Sequence, residues 1–249
     1  MAKTIPFPFG SQKCNGCTFG DYMRVQSKSR ESVSVLLQSL NSERESSRLC
    51  AMLELMWAGP NAKRAVPSIV RLLRNGSTQE RKTASYALGR IGMDVSSDKI
   101  VKALAKSLSI ERSTEMISMI LGALSRMGPL AHRACPNIVR KLKQRKHSTH
   151  AASALSEMGP LAYEGIPTLT KQLKSQASYV RARAAYTLGK IGPLAMSTLP
   201  ILKALKMDKH PRVRKCATWA VQKIRILHHR KRHYKIDNWM YYFRRDKHD

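Results

Sequence analysis

Cations and aromatic rings, rather than nucleophiles or paired acids, are the groups in this sequence placed to do chemistry. Arg48, Arg81, Arg181 and Arg214 recur at one register of a repeating pattern, with Arg183 beside Arg181 and Lys215 beside Arg214. A guanidinium is a planar fork of donors that meets a phosphate or carboxylate two bonds at a time, so a column of them suits a polyanion. The chain end adds a second cluster. His228-His229-Arg230-Lys231-Arg232-His233-Tyr234-Lys235 precedes Trp239-Met240-Tyr241-Tyr242-Phe243-Arg244-Arg245. Arg230, Lys231, Arg232, Arg244 and Arg245 are suited to phosphates, and Tyr234 and Trp239 to stacking on unpaired bases. The other reading is that Trp239, Tyr242 and Phe243 cover the open end of a repeat array.

Cys14-Asn15-Gly16-Cys17 has half the spacing of a zinc site. No second such pair exists, so zinc would have to borrow His228, His229 or His233, or ligands from a partner. No other cofactor is implied. The chain has no P-loop, no Gly-x-Ser-x-Gly and no His-Glu-x-x-His, and no catalysis is expected from it.

The 249 residues hold 45 Lys and Arg against 16 Asp and Glu, a formal charge of +29. Such a charge repels itself in a compact state and is normally tolerated beside a polyanion. At an isoelectric point near 10.5, nucleic acid is the expected partner, with RNA preferred over DNA. No apolar run reaches the roughly eighteen residues of a membrane span, so no membrane insertion is expected. The first ten residues lack the apolar core of a secretion signal, and the five cysteines form no disulfide framework. An intracellular site, cytoplasmic or organellar, follows as the expectation.

These groups must be positioned by a repeat. Gly-Pro pairs stand at 59–60, 128–129, 159–160 and 192–193, with Gly92-Met93 in the equivalent place. Successive glycines are 33, 36, 31 and 33 residues apart, the period of stacked helical hairpins. Seven residues after each Gly-Pro proline comes another: Pro67, Pro136, Pro167 and Pro200. Each of these suits the first turn of a helix, and each repeat glycine suits a left-handed cap at the end of the preceding one. Aligned on the glycines, Ala51, Ala84, Ala151, Ala184 and Ala217 form one column, and Leu55, Leu88, Leu124, Leu155 and Leu188 another. The chain therefore divides into an extended arm (1–28), an all-α solenoid of about six helical hairpins (29–227) and a basic aromatic tail (228–249). A second basic column, Arg90, Arg126, Lys190 and Lys223, is interrupted by Trp57 and Glu157. More cations, among them Lys141, Lys143, Arg145 and Lys171, lie on or just after the first helices, so positive charge surrounds the array.

Pro167 … Val180-Arg181-x-x-Ala184 … Leu188-Gly189-x-Ile191-Gly192-Pro193 resembles a HEAT repeat, of the short form also found in phycobilin lyases. Repeats two, five and six match well, and the fourth is shortened before its second helix. The resemblance implies an arginine that pairs with an aspartate six residues earlier. Those positions hold Ser42, Asn75, Ser175 and Asp208, so only the last keeps the acid. Two roles stay open for the arginines, bonding loop carbonyls or facing a ligand. The resemblance hosts many unrelated functions. A scaffold within a nucleoprotein particle such as a ribosome is the leading expectation. An adaptor for an acidic protein, or a glycosylase acting on alkylated DNA, are the alternatives.

Overall fold

The computed structural model describes residues 33–95 and 98–233, with side chains through Ile226. The arm with Cys14 and Cys17 and the tail from Tyr234, including Trp239, Arg244 and Arg245, lie outside the described residues. So do the side chains of Arg230, Lys231 and Arg232.

Twelve α-helices pair into six hairpins among the described residues: α1 (Val33–Ser39) with α2 (Glu45–Leu55), α3 (Val66–Asn75) with α4 (Thr78–Asp94), α5 (Asp98–Ile110) with α6 (Thr114–Met127), α7 (Cys135–Leu142) with α8 (Ser148–Met158), α9 (Ile166–Gln172) with α10 (Ser178–Ile191), and α11 (Leu199–Ala204) with α12 (Pro211–His233). The second helices stack on one another in chain order, and each first helix packs on its own second helix. The architecture is the all-α solenoid that the spacing predicts.

Local chemistry explains the joints. Gly128, Gly159 and Gly192 adopt φ of 55°, 61° and 76°, a left-handed turn that any side chain would strain. One tight 3-10 turn of seven residues follows each of these glycines. Pro67, Pro136, Pro167 and Pro200 then open α3, α7, α9 and α11 in the first turn, where a missing N–H costs nothing. Gly92 departs from the expected cap. Met93 follows it rather than proline, nothing stops the helix, and α4 runs through to Asp94. The last helix also continues past residue 227 to His233, so the solenoid and the basic segment share one helix.

The alanine and leucine columns form the core. Ala84, Ala184, Ala217, Leu55, Leu88, Leu124, Leu155 and Leu188 are fully buried. Two glycines set the closest approaches. A Cβ on Gly89 would lie 2.7 Å from the Ala123 Cα, and one on Gly189 would lie 2.5 Å from the Trp219 ring and 2.9 Å from the Ala220 Cα. Gly122, in contrast, has nothing within 4 Å of an added Cβ.

The same substitution should therefore act in opposite directions at two helical glycines. Gly122→Ala should stabilise by about 0.5–1 kcal/mol through helix propensity. Gly189→Ala should cost about 1–3 kcal/mol by forcing α10 and α12 apart. Thermal unfolding followed by circular dichroism checks both, and a rise in Tm for the Gly189 variant would refute the close-packing account.

Candidate functional site

At the tip of each hairpin, the turn between the helices exposes carbonyls that need donors. In the first and fifth repeats the column arginine supplies them. Arg48 Nη1 donates to the Ser42 and Glu43 carbonyls at 2.6 and 2.8 Å, and Arg181 Nη1 to those of Ser175 and Gln176 at 2.7 and 2.9 Å. The rest of each guanidinium reaches into the following repeat. Arg48 pairs with Glu80, Arg81 with Glu111, and Arg181 with Asp208, whose two oxygens accept from Nε and Nη2 at 2.8 and 2.9 Å. Each carboxylate is also tied to its own turn. Glu80 accepts the Ser77 N–H in a capping box, Glu111 the N–H groups of Arg112 and Ser113, and Asp208 the His210 N–H.

This corrects two expectations. The ladder acid comes from the next repeat rather than from six residues earlier, and Asp208 serves Arg181 rather than Arg214. Arg48, Arg81 and Arg181 are consequently bound in ion pairs, not available as a phosphate-binding column. Arg214, in the last repeat, bonds only the Asp208 and Lys209 carbonyls among the described residues, at 2.9 and 3.1 Å.

The third and fourth repeats carry Ile117 and Ser148 in place of the arginine. Their turns are served from the other direction. Lys141 of α7, almost fully buried, donates to the Glu111 carbonyl at 3.1 Å, and Gln172 Nε2 donates to the Leu142 carbonyl at 2.8 Å. Lys141 is thereby removed from the surface cations with which its sequence position groups it. Burial, partly offset by Glu111, pulls its ammonium below the ordinary lysine value. His147, in the same region, is fully buried with neither ring nitrogen bonded among the described residues, and burial followed by the charges of Lys146 and Lys141 lowers its imidazole.

The surface left by the ladder is the outer stripe of the second helices. Trp57 is half exposed with the Arg90 guanidinium 5.6 Å from its ring centroid, and Arg126 lies 4.2 Å over Tyr86. Trp57 therefore joins the second basic column instead of interrupting it. On repeats five and six, Tyr186 and Trp219 stack with centroids 4.9 Å apart, and Lys223 sits over Trp219. Arg183 and Lys190 lie one turn to either side of Tyr186 on α10, while Arg212 and Lys215 precede Trp219 on α12. Arg183 and Lys215 thus belong to one cationic, aromatic face. Sequence reasoning does not single out Tyr186 and Trp219, although their shared position five residues after the column arginines Arg181 and Arg214 is a signal that could have found them.

The two halves of the array differ in charge. Residues 166–233 hold sixteen Lys and Arg and one acid, Asp208, whereas the ten other acids of residues 33–233 all precede residue 166. Several of those form ion pairs, including Lys82–Glu115, Arg90–Asp94 and Arg133–Asp98. The described tryptophans stand on the first and sixth repeats and do not converge as a base-excision pocket would require. Among the described residues no cluster of three or more His, Cys, Asp or Glu could hold a metal, and no helix is long and apolar enough to cross a membrane. Cys135 is buried, and Cys50 and Cys216 are half-buried.

Residues 166–229 match the HEAT repeats family, which covers the fifth and sixth hairpins. No curated protein matches the chain by sequence. Among solved structures, an archaeal HEAT-like repeats protein from Thermococcus onnurineus is similar over 82% of this chain and 91% of its own, with a TM-score of 0.56 and 17% identity. The complex of CpcE and CpcF of phycocyanin lyase from a Nostoc species is similar over 75% and 74%, with a TM-score of 0.51 and 18% identity. A mutant of Kap121p is similar over 76% of this chain, with a TM-score of 0.59 and 17% identity, and this chain spans only 22% of it. At these identities the likeness shows the fold.

The ladder carries a stability prediction with a defined pH sign. Hydrogen bonding from Arg181, opposed by burial and aided by the His210 N–H, holds the Asp208 carboxyl below its ordinary 3.8. A depressed folded value gives stability that is complete above the ordinary value and lost as pH falls through the folded one. Arg181→Gln should cost about 3 kcal/mol near neutral pH, because it strands a buried carboxylate. The gap between parent and variant in urea unfolding should narrow below pH 3.8. A gap independent of pH would place the loss elsewhere.

Proposed function

We propose that this chain, a HEAT-repeat solenoid, is a non-catalytic scaffold that binds nucleic acid, RNA in preference to DNA, as a component or accessory of a nucleoprotein particle. The observation that carries the reading is the second-helix face of repeats five and six. There Arg183, Lys190, Arg212 and Lys215 flank the stacked Tyr186 and Trp219 and have no carboxylate partner among the described residues. The single nearby acid is taken by Arg181. Cations beside partly exposed aromatic rings suit a strand whose phosphates are neutralised while its bases stack. Arg214 stands at the open end of the ladder next to this face, and Arg230, Lys231 and Arg232 extend the same helix. Tyr234, Trp239, Arg244 and Arg245 continue the same mixture of side chains in sequence and are proposed to bind the same strand.

Fluorescence anisotropy with single-stranded RNA, single-stranded DNA and duplexes tests this. If about six phosphates are neutralised, affinity should fall on the order of a thousandfold between 50 and 200 mM salt. Neutralising Arg183, Lys190, Lys215 and Lys223 to Gln should weaken binding strongly and flatten the salt slope by about one unit for each phosphate that no longer meets a cation. Removing the same charge at Lys63, Arg74, Lys102 and Lys106 should do much less. Binding that stays flat in salt would overturn the reading in favour of an adaptor for an acidic protein.

A further inference from the structure

We infer that the junction between the fourth and fifth repeats seats one nucleotide of the bound strand, its phosphate against Lys143, Arg145 and Lys171 and its base on Tyr179. The inference rests on the nucleic-acid reading and adds a place and a ligand unit to it.

The site exists because the ladder is broken there. Between repeats five and six, Arg181 and Asp208 bridge the space between consecutive turns. Between repeats four and five, Ser148 replaces the arginine, and the shorter Gln172 amide satisfies the Leu142 carbonyl alone. The space left is a cleft of about 520 Å³, whose cationic lining is Lys143, Arg145 and Lys171, with Gln172, Ser175 and Gln176 as uncharged donors. Leu142, Ala177 and Val180 give it an apolar floor. The volume is on the scale of a small-ligand site.

Its electrostatics differ from those of the equivalent cleft one end of the array away. The junction of repeats one and two leaves about 310 Å³, and there Glu80 contributes a carboxylate to the wall. The wall of the cleft between repeats four and five contains no carboxylate, so an anion entering it meets only cations and neutral groups. Arg145 also borders a second, more open hollow of about 820 Å³ lined by Gln144, Lys146, Thr149 and Tyr179. Phosphate-binding cations and a half-exposed aromatic ring therefore flank one guanidinium. Tyr179 lies on α10 four, seven and eleven residues before Arg183, Tyr186 and Lys190, on the same face. A strand leaving the cleft past Tyr179 runs directly onto the stripe described above.

The test uses the full chain and a single-stranded RNA oligomer carrying 4-thiouridine. Photo-crosslinks mapped by mass spectrometry should fall on Tyr179 and the turn of residues 142–147. In anisotropy, the double variant Arg145→Gln, Lys171→Gln should lose affinity well beyond a charge-matched control, Lys203→Gln with Lys206→Gln. Tyr179→Leu should lose about tenfold for single-stranded RNA and leave duplex binding nearly unchanged. All substituted side chains are exposed, and circular dichroism confirms that the variants fold. A parent that binds RNA while the cleft variants match the control and crosslinks fall elsewhere overturns the cleft and leaves the scaffold reading standing. A parent that binds no single strand at any salt overturns both.

Discussion

The carbonyls at the tip of each hairpin turn are the constraint on which the array depends. A turn that joins two helices satisfies only some of its own acceptors, and a solenoid has no separate layer to cover the rest. The chain solves this by reaching between repeats. Arg48 and Arg181 bond their own turns and a carboxylate of the next repeat, so one side chain satisfies a loop and sets the spacing of two hairpins. Where the arginine is missing, Lys141 and Gln172 reach backward to the same class of acceptor. What is preserved along the array is the acceptor's need, and not the identity or direction of the donor.

That solution shapes the surface. Glu80, Glu111 and Asp208 are drawn inward, each pinned between a guanidinium and backbone N–H groups. The chain has 16 acids and 45 Lys and Arg, and the ladder takes three of each, so cations still far outnumber acids outside it. Repeats five and six show the result most plainly, because their one acid is in the ladder and the cations around Tyr186 and Trp219 face solvent without it. Structural economy and surface charge are therefore linked. In the last two repeats the ion pair that holds the hairpins in register also occupies the one acid, Asp208, that could have paired with a cation of the Tyr186 and Trp219 face.

The period, the caps and the core columns were legible in the sequence because each is a local rule. Proline in a first turn, glycine in a left-handed turn and alanine at a close helix crossing all follow from a residue and its near neighbours. The ladder was not legible, because its partners are separated by 32, 30 and 27 residues for Arg48, Arg81 and Arg181. Glu111 and Asp208 stand six residues before the column position of the following repeat, at Ile117 and Arg214, whereas Glu80 stands one residue before Arg81, so the offset from the arginine varies with repeat length and with the acid's place. An expectation fixed at six residues meets Ser42, Asn75 and Ser175 and leaves the arginines unpaired. Gly92 misleads for the opposite reason: the residue is in register, but only a following proline would have ended the helix.

The break at repeats three and four divides the array mechanically as well as electrostatically. On either side of it, guanidinium–carboxylate pairs couple neighbouring hairpins, and the more exposed of these, such as Arg81–Glu111, are screened by salt. Across the break the hairpins are joined by apolar packing of the second helices, by the Lys141 ammonium on the Glu111 carbonyl and by neutral hydrogen bonds. The Thr187 hydroxyl, for example, donates to the buried Ala152 carbonyl at 3.2 Å. Burial of apolar area is nearly indifferent to ionic strength, whereas both the ladder and any phosphate contact weaken with it. Among the described residues no ion pair bridges the fourth and fifth hairpins, so their junction rests on the packing of α8 against α10 and on neutral bonds such as that from Gln172 to the Leu142 carbonyl.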